Sequence, residues 1–325
     1  MTHAPDTLTL VADIGGTNTR VALARDGALL PGTVRRYANA DHASLTEVLT
    51  RFLAAEDDVD CAAACVAVAG PVEDGAGRLT NLDWQIDSVT LAAAARAERV
   101  AILNDLQAQG FALGRLAPGS LRALVGTDHP VRGGAPQLVV GVGTGFNAAP
   151  VHHGPFGRIV VPSECGHISL PVRTESDFRL ARHVERAHGF AGVEDVLSGR
   201  GLERLHAFLS AEMGGEAGLT AAEIMQRIGA GDDALAAKTG ETFVRLLGNA
   251  VGDLALVHLP YGGLFLCGGV ARAFAPHLGR FGFAEAFRDK GRFGPFMHTF
   301  PIWLIEDDYA ALTGCAVHLA SSPAG

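Results

Sequence analysis

The chain has 325 residues and 48% hydrophobic content, enough to bury a sizeable core in two domains or one large α/β unit. Its 26 basic and 35 acidic side chains leave a formal charge of −9, which argues against a phosphate-backbone binder and therefore against a nucleic-acid partner. Forty-one glycines point to many tight turns, and five cysteines without paired CxxC sets read as reduced thiols.

Residues 1–6 lack a basic region and an apolar region of signal-peptide type, so a cytoplasmic location is expected. Residues 8–14 read as a strand that runs into Gly15-Gly16-Thr17, and the alternation in Thr19-Arg20-Val21-Ala22-Leu23 reads as a second strand, making a hairpin. Helical spacing of Leu45, Val48, Leu49, Phe52 and Leu53 predicts a helix over 43–55. The apolar run 62–69, which contains Cys61 and Cys65 as neighbouring or internal core fillers, predicts a buried strand. A polar turn at 80–84, an alanine-rich helix at 91–97 and a strand at 100–103 follow, with helix signals resuming through Phe111. The Pro/Gly-rich stretch 116–136 reads as a crossing between domains.

Residues 137–149 repeat the opening design: an apolar strand, then Gly141-Val142-Gly143-Thr144-Gly145, then a second apolar segment. Beyond it, 179–188, 202–212, 221–228 and 233–257 are mainly helical, and 263–267 is a strand leading to Gly268-Gly269 and another helix. The charge-free stretch 254–271 is long enough for a membrane span, but Pro260, Tyr261, Gly262 and Gly263 break it, so no membrane association is expected. A strand at 302–305 and a helix at 310–319 close the chain. Strands followed by helices in each half predict two α/β domains facing across a cleft.

A glycine pair lets backbone N–H groups approach an anion that a Cβ would hold away, and the threonine of each turn adds a hydroxyl donor. Neither turn is a P-loop, because no Lys-Ser or Lys-Thr follows, and neither opens a helix as a dinucleotide fingerprint does. Two such turns suggest two domains gripping a polyphosphate, which points to phosphoryl transfer. Asp13, at the end of the first strand, reads either as a turn-forming Asx residue or as a Mg²⁺ ligand acting through water. Asn104-Asp105 lie where a strand gives way to a helix. From spacing alone Asp105 is an N-cap; the competing reading is a base that takes a proton from an attacking hydroxyl. Glu164-Cys165-Gly166-His167 fits neither a di-iron half-site nor a zinc site and reads as a loop offering donors and acceptors to a polyhydroxylated ligand. His152-His153 read as surface residues.

Taken in order, Asp13-Ile14-Gly15-Gly16-Thr17-Asn18, Thr80-Asn81…Trp84, Asn104-Asp105, Gly141-Val142-Gly143-Thr144-Gly145, Glu164-x-Gly166-His167, Glu194-Asp195-Val196-Leu197-Ser198-Gly199, Gly268-Gly269 and 287–293 resemble bacterial ATP-dependent glucokinases over nearly the whole chain. That family belongs to the sugar kinase/actin/heat-shock ATPase superfamily, so the resemblance implies an α/β fold with two ribonuclease-H-like domains flanking an interdomain cleft. It implies domains of 1–115 plus 304–325 and of 116–303. It further implies that Asp105 is the catalytic base, that Asn104, Glu164, His167, Glu194 and Asn81 bind the sugar, and that Gly15, Gly16, Thr17, Asn18, Gly143 and Thr144 bind the phosphates. Gly268 and Gly269 correspond to the adenosine turn, and Asp13 to the Mg²⁺ ligand of an ATP- and Mg²⁺-dependent reaction. A homodimer is expected from the resemblance only.

The sister family of repressor and open-reading-frame kinases carries a cysteine-rich zinc motif that is absent from this sequence. Three departures from the glucokinase pattern stand out: Asn147 and Cys165 each where glycine is usual, and Arg200 where proline is usual. Asparagine tolerates positive φ, so the turn at Asn147 is expected to survive, and Cys165 is expected to pack. The expected activity is phosphorylation of glucose at the 6-hydroxyl. The alternatives are a kinase for another hexose or amino sugar, or a catalytically weak sugar sensor of the same fold. Because water competes as an acceptor, sugar binding is expected to close the cleft before transfer.

Overall fold

The computed structural model describes residues 7–77, 79, 82–117, 119–126, 133–155 and 157–321. The chain divides into two compact units. The first comprises Met1–Pro118, Gly154–Pro162 and Asp307–Gly325; the second comprises Gly119–His153 and Ser163–Glu306.

In the first unit, β1 (Thr9–Ile14) and β2 (Asn18–Arg25) form an antiparallel hairpin around the first glycine turn. The short strands β3 (Ala28–Leu29) and β4 (Arg35–Ala38) pair with the outer side of β2. On the other side, β5 (Ala63–Val68) and β9 (Arg99–Asn104) run parallel to β1, giving the order β3-β2-β1-β5-β9. This is the ribonuclease-H arrangement. Every residue of β5 is buried, which explains its continuous apolar run: a parallel central strand is covered on both faces. A small sheet of β6 (Val72–Glu73), β7 (Ala76–Gly77) and β8 (Ile86–Asp87) lies between them in sequence.

Helix α1 (Leu45–Ala55) starts at Ser44, whose hydroxyl accepts the Glu47 N–H, and buries the five apolar residues of its predicted stripe. Helix α2 (Ser88–Ala95) is capped by Asp87, and α3 (Asp105–Ala112) begins directly where β9 ends. The closing helix α11 (Ala310–Ser321) packs on α3, β1 and β5. Gly314 makes that approach possible, because a Cβ there would collide with the carbonyl of Ala108. The strand β13 (Gly157–Val160) also belongs to this unit. Its Val160 carbonyl accepts from Gln107 Nε2 at 3.1 Å, and the Arg158 guanidinium donates to the carbonyls of Gly110 (3.2 Å), Phe111 (2.8 Å) and Leu113. Arg158 thereby adds a donor to carbonyls at the C-terminal end of α3, of which Gly110 also accepts from Leu113 N at 3.3 Å.

The second unit repeats the plan. Its strands β11 (Gln137–Val142) and β12 (Phe146–Gly154) form an antiparallel hairpin around the second glycine turn, and β14 (Leu264–Cys267) and β15 (Ile302–Ile305) continue in parallel on the far side. The strand β10 (Leu121–Val125) adds an antiparallel edge to β15. Helices α4 (Glu175–His188), α5 (Gly199–Met213), α6 (Ala221–Ala230) and α7 (Ala234–His258) cover this sheet, with α8 (Gly269–Phe274), α9 (Phe283–Arg288) and α10 (Gly294–Met297) following. The core is a continuous cluster built from β11, β14, β15, α5 and α7. The stretch 254–271 is the end of α7, a turn at Leu259–Gly263 and buried β14. No helix among the described residues is long and apolar enough to cross a membrane.

Three segments are assigned differently from the sequence reading, and the first of them, 116–118, joins the first unit. The segment 154–162 falls in the first unit, because Arg158 and Val160 bond to α3, and residues 304–306 fall in the second, because β15 pairs with β14. The supposed crossing at 116–136 contains β10. This is a largely exposed edge strand whose flanking Pro and Gly hide it, and its pairing with β15 is supplied by distant sequence.

Candidate active site

Asp13 sits opposite Arg20 in the β1–β2 register, and the guanidinium reaches its Oδ2 at 3.2 Å. Burial pushes the Asp13 carboxyl up from the ordinary value, while Arg20 opposes that shift. The glycine turn that follows is fixed from outside itself. Gly15 N–H donates to the Asn18 carbonyl at 3.0 Å, and the buried Asn39 carboxamide donates to the Gly15 carbonyl at 2.8 Å. Asn39 also accepts from the Thr19 hydroxyl at 2.8 Å, and its N–H donates to the Thr17 carbonyl at 2.9 Å. Gly16 and Thr17 remain exposed at the tip. Nothing local to the turn announces Asn39, which lies 24 residues beyond Gly15.

The structure corrects the reading of Asp105 as an N-cap. Asn104 is the N-cap of α3, and Asp105 is the first helical residue. Asn104 Oδ1 accepts from Leu106 N at 3.0 Å, and Gln107 Oε1 accepts from Asn104 N at 3.0 Å, a capping box. Asn104 Nδ2 donates to the Gly70 carbonyl at 3.0 Å, so most of this buried carboxamide's capacity is committed to holding the β9–α3 junction. Asp105 Oδ1 accepts from its neighbour's N–H, Leu106 N, at 2.9 Å, and this half-buried residue follows directly on the C-terminal end of β9. That end of a parallel strand is where α/β sheets bind ligands. Asn81 lies outside the described residues.

In the second unit the predicted residues converge. Glu194 Oε2 accepts from Phe146 N at 2.9 Å, the first peptide after Gly143-Thr144-Gly145. Glu194 N donates to the Gly166 carbonyl at 2.8 Å, joining the Glu164–His167 loop to the same carboxylate-bearing segment. A Cβ on Gly166 would overlap the Phe146 carbonyl, so only glycine lets the loop lie this close. Cys165–His167 form a single 3₁₀ turn, with Glu164 exposed just before it and His167 exposed at its end. Gly199 N donates to the Gly143 carbonyl at 2.8 Å, and a Cβ on Gly143 would stand 3.9 Å from Gly269 N. The second glycine turn, the Glu164 loop, the Glu194–Gly199 segment and the Gly268-Gly269 turn are therefore one constellation.

Asn147 does not occupy a positive-φ turn, as its sequence position suggested. It lies in β12, and its side chain bonds the loop that carries Glu164. Cys165 does pack, half-buried, and burial pushes its thiol up from the ordinary value.

The residues present suit a nucleotide and a hard cation. A Cβ built on Gly269 meets nothing within 4 Å and one on Gly143 meets only Gly269 N, at 3.9 Å, so both backbones leave the room that close approach of a nucleotide needs. A single carboxylate, Asp13, suits Mg²⁺, which keeps waters and phosphate oxygens as its other ligands. Among the described residues no group of three or more His, Cys, Asp or Glu forms an all-protein cage.

Two ribonuclease-H-like units, each containing a hairpin around a Gly/Thr turn, define the two-domain sugar kinase/actin class. A glucokinase family model matches residues 10–322. The chain is 34% identical over 308 residues to the glucokinase of Rhizobium meliloti strain 1021, covering 94% of this chain and 90% of that protein. The crystal structure of a glucokinase from an Antarctic psychrotroph superposes with a TM-score of 0.86 at 31% identity, covering 98% of this chain and 100% of the other. A glucokinase from Streptomyces griseus, solved with glucose and AMPPNP, shares the fold at 19% identity with a TM-score of 0.62, over 96% and 98% of the two chains. The chain belongs to the glucokinase family.

Proposed function

We propose that this protein transfers the γ-phosphoryl group of ATP to the 6-hydroxyl of glucose, giving glucose 6-phosphate and ADP. The observation that carries the reading is the bond from Phe146 N to Glu194, which ties a phosphate-type glycine turn to a loop bearing Glu164 and His167. A carboxylate-rich loop beside an anion cradle suits a neutral polyol and a polyphosphate together. Hydrogen bonds from sugar hydroxyls to charged groups contribute about 1.5–3 kcal/mol each. A site whose polar groups need those hydroxyls rejects ligands lacking them by up to about 10⁴-fold.

In this reading Glu164, His167 and Glu194 hold the sugar, and Asn104 acts chiefly by fixing the start of α3. Asp105 accepts the proton of the attacking 6-hydroxyl, a contribution on the order of 10²–10⁴-fold. Gly15, Gly16, Thr17, Asn18, Gly143 and Thr144 cradle the phosphates, and Gly268 and Gly269 take the adenosine side. Asp13 would hold Mg²⁺ through water, and the ion would supply charge neutralisation for the transferred phosphoryl group. Phosphoryl transfer needs mainly positioning and electrostatics, which rigid backbone turns and fixed carboxylates supply.

A coupled ADP-release assay across a panel of aldohexoses, ketohexoses and amino sugars tests the proposal. Glucose is expected to give the highest kcat/KM, with glucose 6-phosphate as product. Preferred turnover of another sugar would replace the substrate. Glucose binding without ADP release would identify a sensor.

A further inference from the structure

Asn147 and Cys165 are the two positions where this chain carries a side chain in place of the family's usual glycine, and in the structure they touch. Asn147 Nδ2 donates to the Ser163 carbonyl at 2.5 Å, and Asn147 Oδ1 accepts from Cys165 N at 3.2 Å. The carboxamide thus bonds the peptide groups on both sides of Glu164, as a neighbouring strand would bond alternate residues. Its orientation is dictated, since a carbonyl must face the amide nitrogen and an N–H must face the oxygen. Two further side chains converge on Oδ1: the Ser163 hydroxyl at 3.1 Å and the Cys165 thiol at 3.6 Å. The Ser163 hydroxyl also reaches the Ala148 carbonyl at 2.8 Å, and the neighbouring peptide N–H, Ala148 N, closes back on Asn147 Oδ1 at 2.8 Å.

We infer that Asn147 is a positioning residue for the sugar loop, fixing the backbone of Glu164 so that its carboxylate is presented preorganised to the sugar. A glycine at 147 would leave the 163–165 peptides without these partners, and the loop would have to be ordered at the expense of binding energy. The inference rests on the sugar-binding role of Glu164 in the function proposed above. It predicts an effect on sugar affinity rather than on the phosphoryl-transfer step, because Asn147 bonds the sugar loop while Glu194 bonds Phe146 independently.

The test compares wild type, Asn147→Gly, Asn147→Ala and Asn147→Asp by steady-state kinetics and by iodoacetamide labelling of Cys165 without any substrate, followed by peptide mass spectrometry. Labelling is specific because Cys61, Cys65, Cys267 and Cys315 are buried. Asn147→Gly and Asn147→Ala are expected to raise KM for glucose about 10-fold, with KM for ATP within about 2-fold and kcat within about 3-fold. Cys165 is expected to label several-fold faster in both. Asn147→Asp keeps the acceptor for Cys165 N but loses the donor to Ser163, so intermediate values are expected for both readouts. Unchanged labelling and unchanged glucose KM would overturn the inference, as would equal losses in glucose KM, ATP KM and melting temperature. Labelling needs no turnover, so a wild-type enzyme that ignores glucose would sink the proposed function while leaving the loop restraint separately measured.

Discussion

The Glu194 carboxylate and the backbone N–H of Phe146 are joined by a hydrogen bond of 2.9 Å, and the Glu194 N–H donates to the Gly166 carbonyl at 2.8 Å, so one residue ties the second glycine turn to the Glu164–His167 loop. A Cβ on Gly145 would overlap that carboxylate, which shows how tightly the glutamate lies against the turn. The bond gives Glu194 a fixed direction before any ligand arrives.

Glu194→Ala removes both the acceptor for Phe146 N and the carboxylate proposed to hold the sugar, and is expected to raise glucose KM by about 10²-fold or more. Glu194→Gln retains a carbonyl acceptor and is expected to lose about 10-fold less than the alanine variant. Initial-rate kinetics at saturating ATP check both; equal defects would show that the bond to Phe146 has no bearing on the site.

Asp105→Asn leaves the Asn104–Gln107 capping box in place, so α3 is expected to form normally. Its kcat is expected to fall by about 10²–10⁴-fold while glucose affinity, read by calorimetry, changes little. Near-normal turnover in this variant would remove Asp105 from the mechanism. Asn104→Ala breaks the cap and the bond to Gly70 instead, and is expected to cost about 1–2 kcal/mol in urea unfolding.

Asp13 is a carboxylate whose burial raises its pKa against the pull of Arg20. Between the unfolded and folded pKa values the folded protein binds the extra proton, so this group's contribution to stability falls as pH rises through that window. Asp13→Asn escapes that cost and is expected to melt no lower than wild type near neutral pH, yet to lose most MgATP-dependent turnover. Arg20→Met removes the opposing charge, and the acid limb of the pH–rate profile is expected to move to higher pH. An unmoved limb would mean that Asp13 does not titrate in the reaction.

Arg245 forms a two-pronged ion pair with Asp177, at 2.5 and 3.1 Å, beneath the capping box of α4. Burial pushes the Asp177 carboxyl upward, but Arg245 and the backbone donors of Arg173 and Thr174 outweigh it and hold it below the ordinary range. Its stabilisation is therefore present above the unfolded carboxylate pKa of about 4 and is lost as pH falls through the lower folded value. Arg245→Met is expected to destabilise the protein by about 2 kcal/mol at neutral pH. Below the folded pKa the difference from wild type is expected to shrink, which urea titrations across acid pH will show.

The two Gly/Thr turns, the β1–β2 and β11–β12 hairpins and the long helices were legible because their signals are local: glycine pairs, alternation and apolar stripes at helical spacing. The edge strand β10 was not, since its partner β15 is far along the chain and its own residues are mostly exposed. Asp105 was misplaced by one position because Asn and Asp are both good caps. The Asn104-x-x-Gln107 spacing is a local capping-box signal that favours Asn104, and the Gly70 carbonyl, brought in by folding, adds the bond that holds it in the role. The anchoring of the first turn by Asn39 left no local mark at all.

By itself the sequence determined which backbone segments are glycine turns, which side chains carry carboxylates near them, and the family to which those turns belong. Those properties depend on residue chemistry and short-range periodicity. Tertiary structure decided which of these groups meet: Glu194 with Phe146, Gly143 with Gly269, and Asn147 with the peptides around Glu164. Hydrogen bonds act over about 3 Å regardless of separation along the chain. Their partners are therefore set by how the sheets and loops pack, which no local pattern encodes.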